Sequence, residues 1–439
     1  MVVSPSNKLQ TGVVDLWYRI AFVFFAIVIF RFGSFITLPG IDVNVLTTFF
    51  DDSKNTILDL ANVFSGGALH RMSIFALGVM PYISASIILQ MLTHIVPSLI
   101  ALRKEGESGR VKITEYTRIL TILFATLQSI GTTYALSNQN INGEQLVIIN
   151  QVSFIFISTI TLVTGTMFLM WLGEQITERG LGNGISLIIF SSIVAGLPTA
   201  VSGTYDLYSQ GELNPLSLIF IFVIVLAVVF FVVFIERSFR KIPIQYPPRQ
   251  QGRTMVLPQS NHLPLKLNMS GVIPPIFASA IVLFPATVIK WFSNVSTDTW
   301  LGNIVNQLQP GKMVYEFVYV LAIVFFAFFY TSLVFNPKET AENIKKSGGY
   351  IQGIRPGEQT AWYIKFIVNR LTAIGAFYLA FVCLVPELLI LYFNVPFYFG
   401  GTSILIVVVV VMDFMVQIQT HLMSFQYEKL MKRANLTMR

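Results

Sequence analysis

Charge is scarce in this chain. Only 12% of its 439 residues are Asp, Glu, Lys or Arg, against roughly 25% in an ordinary soluble domain. Cysteine is scarcer still: the single one, Cys383, excludes an intrachain disulfide and every two-cysteine metal motif. Histidine is limited to His70, His94, His262 and His421, scattered along the sequence. No HExxH, phosphate-binding loop, Gly-x-Ser-x-Gly or paired-carboxylate arrangement occurs. These absences argue against an enzyme and leave no cofactor, metal or nucleotide site to expect. The segment Met1 to Asp15 is polar and short, without the pattern of a cleaved leader, so the first apolar segment is expected to stay.

What the chain has is apolar length. Hydrophobic residues make up 54% and the mean hydropathy is +0.68. A spanning helix needs about 20 apolar residues. Ten segments qualify, at about 19–38, 73–96, 118–137, 151–172, 184–203, 214–235, 271–292, 313–335, 363–385 and 399–420. Barrel strands would alternate in short runs instead, so the fold class is an all-α polytopic membrane protein. Loops assigned alternately to two sides put 23 of the 29 lysines and arginines on the side of the N-terminus and four on the other, with Arg31 and Arg370 inside spans. Basic residues stay cytoplasmic, so both termini are expected there.

A ten-residue pattern occurs twice. Val79-Met80-Pro81-Tyr82-Ile83-Ser84-Ala85-Ser86-Ile87-Ile88 returns as Val272-Ile273-Pro274-Pro275-Ile276-Phe277-Ala278-Ser279-Ala280-Ile281, with six of ten positions identical. Apolar sequences share letters cheaply, so coincidence and duplication both remain open. The copies open the second and seventh spans, which cross in opposite directions. Duplication would therefore mean an inverted repeat of two five-helix halves, residues 1–206 and 207–439, and such interfaces are where membrane transport proteins work.

Three connections stand out. The cytoplasmic loops 236–270 and 336–362 are long and basic, and a docking role for a cytoplasmic partner is expected of them. On the outer side, residues 57–70 are too short and too broken by Gly66-Gly67 to span. They read either as a half-helix folded into a central cavity or as a surface loop helix. Ionisable residues at membrane depth are few: Arg31, Glu174, Arg370 and Asp413. That argues weakly against an ion-coupled carrier. An apolar constriction with Ile83 and Ile276 at matching places can seal by dewetting. A small-solute carrier with inverted repeats, and a non-conducting scaffold, are the alternatives.

The chain resembles the bacterial SecY family, the central subunits of protein-translocation channels. The resemblance is carried nearly end to end by Pro39-Gly40-Ile41-Asp42, Phe64-Ser65-Gly66-Gly67-Ala68-Leu69, Ile74-Phe75-Ala76-Leu77-Gly78, Lys104-Glu105-Gly106-Glu107-Ser108-Gly109-Arg110 and Trp171-Leu172-Gly173-Glu174-Gln175-Ile176-Thr177-Glu178-Arg179-Gly180. Further on come Arg249-Gln250-Gln251-Gly252-Arg253, Gly353-Ile354-Arg355-Pro356-Gly357-Glu358-Gln359 and Val395-Pro396-Phe397-Tyr398-Phe399-Gly400-Gly401-Thr402-Ser403.

The resemblance implies a clamshell of two five-helix halves in the bacterial cytoplasmic membrane. It translocates unfolded secretory chains and releases membrane segments sideways into lipid. A plug is implied at Ala61, Asn62, Val63, Phe64, Ser65, Gly66, Gly67, Ala68 and Leu69. The pore ring is implied at Val79, Ile83, Ile185, Ile189, Ile276 and Ile406; relatives often carry isoleucine where Val79 stands. The lateral gate would include Ser84, Ile87, Gln128 and Phe284, and docking of the ATPase SecA or the ribosome Arg249, Arg253 and Arg355. Implied partners are SecE and SecG in a heterotrimer, SecA, the ribosome without further nucleic-acid recognition, unfolded preproteins, nascent membrane proteins and membrane lipids.

Overall fold

The computed structural model describes residues 5–42, 45–46, 62, 64–137, 140–141, 144–211, 214–246, 249–251, 254–256, 260–292, 307, 312–393 and 401–437. Helices dominate. They are α1 (Pro5–Gly33), α2 (Met80–Ile95), α3 (Pro97–Lys104), α4 (Glu107–Ser137), α5 (Gln151–Arg179), α6 (Gly184–Ser209), α7 (Pro215–Glu236), α8 (Ile273–Phe292), α9 (Met313–Val334), α10 (Pro337–Lys346), α11 (Glu358–Phe393) and α12 (Gly401–Thr437). Short strands lie between them: β1 (Asn140–Ile141), β2 (Glu144–Gln145), β3 (Phe239–Gln245), β4 (Arg249–Gln251), β5 (Thr254–Val256) and β6 (Ser260–Lys266).

Among the described residues, eight helices are long and apolar enough to cross a membrane, and the bent pair α2–α3 raises the number to nine. The expected seventh span coincides with α8, whose described side chains form a shorter apolar stretch, Ile273–Val282. The expected second span begins later than the sequence pattern indicated. Residues 73–78 are a turn, and the helix starts only at Met80, with Pro81 at its second position. Its other end has a clear cause. Val96 precedes Pro97 and takes extended backbone (φ −87°, ψ 119°), because a proline crowds a helical predecessor. Pro97 then opens α3 at an angle of 94°.

The helix α7 is the most apolar span, with a hydropathy of 3.7, yet only 17% of that window is buried inside the protein. An apolar helix left uncovered requires an apolar surround. Elsewhere glycine permits close helix approach. A Cβ on Gly165 of α5 would sit 2.0 Å from the Ile74 carbonyl oxygen, so α5 presses directly on the turn that leads into α2. Phe75 on that turn stacks between Phe30 (6.1 Å) and Phe168 (5.9 Å).

The two long loops form one folded unit. β3 and β6 pair antiparallel from Phe239↔Lys266 to Gln245↔Ser260. Gln245 and Tyr350 exchange backbone hydrogen bonds at 2.9 Å each, which joins the first loop to the second. A small core lies beneath, where Ile242, Ile244 and Leu265 meet Ala341, Ile344, Ile351, Ala361, Ile364 and Val368. At its base Asn268 donates to the Glu236 carboxylate at 2.6 Å and to the Gly271 carbonyl at 3.2 Å, and the Ser270 hydroxyl donates to Asn268 at 3.0 Å. The hairpin is thereby tied to the end of α7.

Replacing Gly165 by Ala should destabilise the protein by about 1–3 kcal/mol through overpacking. Gly196→Ala, at a helical position with open space around it, should be neutral or slightly stabilising. Thermal unfolding in detergent checks the pair: the first should lower the midpoint and the second should not.

Candidate functional site

The two copies of the repeated pattern begin their helices in the same way. Pro81 is the second residue of α2, and Pro274 is the second residue of α8. Proline suits the first helical turn because its missing N–H would have no partner there. The helices then meet: α8 packs against both α2 and α4. The residues that the pattern aligns, Ile83 and Ile276, lie in one apolar cluster and are 7% and 9% exposed. Val79, Ile189 and Ile406 belong to the same cluster, and the partly buried Ile185 packs against it. The six residues expected at the constriction are thus brought together from the residue before α2 and from α2, α6, α8 and α12.

The segment before α2 folds into this cluster. Asn62 and Phe64–Ser65 are helical, and the chain then turns. Phe64 and Ala68 are buried in the same core as Ile83 and Ile276. Gly66 and Gly67 both have positive φ, at 68° and 83°, a conformation that glycine adopts without strain. A Cβ on Gly66 would also approach the Ser192 Cα to 2.9 Å. Ala61 and Val63 lie outside the described residues.

Backbone of this irregular kind needs partners from the protein, and they are visible. Arg31 of α1 donates from Nη1 to the Gly66 carbonyl at 2.9 Å. The Ser65 hydroxyl donates to the Asn62 carbonyl at 3.0 Å and accepts from the Leu69 N–H at 3.1 Å. The Asn62 side chain accepts from the His70 N–H at 3.1 Å. The Arg31 guanidinium also lies 5.3 Å from the Phe35 ring centre, and Arg71 lies 4.1 Å from the same ring. Sequence reading placed Arg31 inside a span but not on the folded-back segment. An isolated cation at membrane depth was the signal that could have pointed to it.

The seam between α8 and the helices α2 and α4 has a particular polarity. Ile87 of α2 and Gln128 of α4 are buried, and Ser84 is half-buried; the side chain of Phe284 lies outside the described residues. Thr117, Thr121, Ser129, Thr132 and Thr133 are also buried on α4. The four threonines donate to carbonyls four residues earlier on the same helix. Such hydroxyls carry their own partners, so they need none from a neighbouring helix. At one end Arg103 of α3 donates to the Leu333 carbonyl of α9 at 3.3 Å and also contacts His94.

The residues expected to dock partners are spread over the folded loop unit. Arg355 is exposed on a turn flanked by Gly353 and Gly357, both with positive φ. The Thr360 hydroxyl holds the Arg355 carbonyl at 2.9 Å. Arg249 begins β4, with its side chain outside the described residues, and Arg253 lies outside them altogether. Glu174 pairs with Arg118 at 2.6 Å between α5 and α4.

A family model described as SecY matches residues 73–415. Translocase subunits SecY are 57% identical in Escherichia coli over 426 residues and 56% identical in Vibrio cholerae over 430 residues, each covering 97% of this chain and 96% of the relative. A solved structure of a protein conducting channel superposes with a TM-score of 0.65 at 16% identity, covering 92% of each chain.

Replacing Arg31 by Gln should loosen the folded-back segment. A hydrogen bond to a charged group contributes about 1.5–3 kcal/mol, so the unseated population should rise about ten-fold or more. Labelling of a cysteine placed at the buried Leu69 by an impermeant maleimide should accelerate by that factor; an unchanged rate would count against the anchoring role.

Proposed function

The chain belongs to the SecY family, and we propose that it is the channel subunit of a protein translocase: it passes unfolded chains across the membrane and releases apolar segments sideways into lipid. One observation carries this reading. The folded-back segment is buried in the same apolar cluster as the matched isoleucines of both repeat copies. In the closed state this gives a constriction with a plug seated on it.

The chemistry of such a passage is physical and makes or breaks no bond. An apolar ring offers no hydrogen bonds that would select a side chain, so varied sequences slide through. The same ring dewets when empty and opposes ion flow. When the seam between α8 and α2–α4 parts, a segment inside can compare water with lipid. Each Leu or Ile favours lipid by about 0.3–0.6 kcal/mol, whereas one central charge costs about 2.5–3.5. A stretch of apolar residues leaves sideways and a polar stretch continues across.

The finer assignments belong to the same reading. The halves would be residues 1–206 and 207–439. They touch at the seam and, on the far side, where α12 packs against α1 and α6, which suits a hinge. Val79, Ile83, Ile185, Ile189, Ile276 and Ile406 form the ring; residues 61–69 form the plug; Ser84, Ile87, Gln128 and Phe284 border the gate. SecE and SecG complete the channel. The loop unit receives SecA or the ribosome through Arg249, Arg253 and Arg355, and these partners supply the drive. The basic excess places this unit and both termini on the cytoplasmic side of the bacterial inner membrane. The small-solute carrier is set aside, because the relatives are translocase subunits over nearly the whole chain.

Ile83→Gly with Ile276→Gly should raise ion leak through the resting channel in planar bilayers; a conductance equal to that of the parent would remove these residues from the ring. Arg355→Glu should abolish motor-driven export into vesicles while the membrane complex still assembles. Undiminished export by an assembled complex would overturn the docking assignment.

A further inference from the structure

A cleft of about 700 Å³ opens between the end of α9, the start of α10 and the first turns of α11. It lies away from the ring, the plug and the seam described above. Its lining changes character along one direction. Phe328 of α9, Phe335 just past its end and Val368 of α11 supply apolar wall, interleaved with hydroxyls such as Thr331 and Thr372, while Lys338 and Lys365 bring two ammonium groups against one carboxylate, Glu358. From Phe328 to Val334 the helix advances about 9 Å, so the apolar wall runs inward from the lysine end.

The depth of the cleft is set by the chain. α9 is an apolar helix long enough to cross a membrane, and Lys338 follows four residues after its last residue, Val334. Trp362 lines the mouth, is 68% exposed and stacks on Phe366 at 5.6 Å. Arg370 stands over that same Phe366 ring at 4.1 Å. Tryptophan at a span end belongs at the membrane–water boundary, where an amphipathic ring is stable.

We infer that this cleft binds one anionic phospholipid of the leaflet that faces the basic loops, with its phosphate between Lys338 and Lys365 and an acyl chain along Phe328 and Phe335. Charge and shape select this occupant. The cleft carries a net positive charge at one end and aromatic surface at the other, which is the polarity of a phospholipid. A soluble phosphate would satisfy the lysines and leave the aromatic wall uncovered. An apolar protein helix would cover the wall and bury two ammonium groups with only one carboxylate, Glu358, to balance them, at a cost. Basic pockets between spanning helices on the cytoplasmic side bind anionic head groups on these terms. The inference rests on the membrane reading only for the position of the cleft at the bilayer surface, and its test reads lipid occupancy, not export.

The test uses the full chain in phosphatidylcholine nanodiscs. The Trp362 signal is taken as the fluorescence difference between the parent and Trp362→Phe. Brominated phosphatidylglycerol should quench it at about five-fold lower mole fraction than brominated phosphatidylcholine, since one basic residue near the surface is worth about 1 kcal/mol. Lys338→Gln with Lys365→Gln should remove that preference, and Lys338→Arg with Lys365→Arg should keep it. Equal quenching by the two lipids, or a preference that survives loss of both lysines, would overturn the site. Relief of quenching by millimolar glycerol 3-phosphate would assign the lysines to a soluble phosphate and overturn the lipid reading; persistent quenching supports it. Loss of the preference when partner subunits are added would show that polypeptide covers the cleft, and would overturn it as well.

Discussion

Backbone that leaves the helix at membrane depth has no water to satisfy it, so its N–H and C=O groups must find partners inside the protein. The stretch around Gly66 is where this chain meets that requirement. Two glycines with positive φ turn the chain back, and the Arg31 guanidinium, the Ser65 hydroxyl and the Asn62 amide take up the polar groups released. Once those bonds are made, Phe64 and Ala68 can settle into the apolar cluster. The folded-back arrangement is then a local compromise: a cation held at depth is costly, and the carbonyl it receives offsets part of that cost.

The rest of the architecture divides its packing into two kinds. Helices that must stay together are locked by close backbone approach, as at Gly165 against the Ile74 carbonyl. The face on which α4 meets its neighbours follows another rule. Its threonine hydroxyls bond within their own helix, so they need no partner on a neighbouring helix. The link through Arg103 and the Leu333 carbonyl lies near the ends of α3 and α9, away from the seam's interior. A channel of the SecY family needs this division between fixed packing and separable packing.

The long loops show how a surface can be both exposed and rigid. Alternation in β3 turns Ile242 and Ile244 inward, and α10 turns Ala341 and Ile344 to meet them. The core is small, but it anchors the turn that displays Arg355. The same region carries Trp362 and the lysines of the adjoining cleft.

Composition and hydropathy by themselves determined the all-α membrane class, and the repeated pattern paired Ile83 with Ile276, because those properties follow from solvent preference and local sequence. The SecY-like motifs named the residues expected at a plug and a ring, of which Phe64, Ala68, Val79, Ile83, Ile189, Ile276 and Ile406 meet in one cluster. Other features were illegible in one dimension. The β3–β6 hairpin sits in a Pro-, Gly- and Gln-rich loop that reads as irregular, and its pairing with the second loop spans about a hundred residues. The delayed start of α2 depended on a turn packed against Gly165. The role of Arg31 depended on a carbonyl 35 residues away. Tertiary structure alone decided these, since each is a contact between groups whose sequence separation carries no period and whose strength exists only once the surrounding helices exclude water.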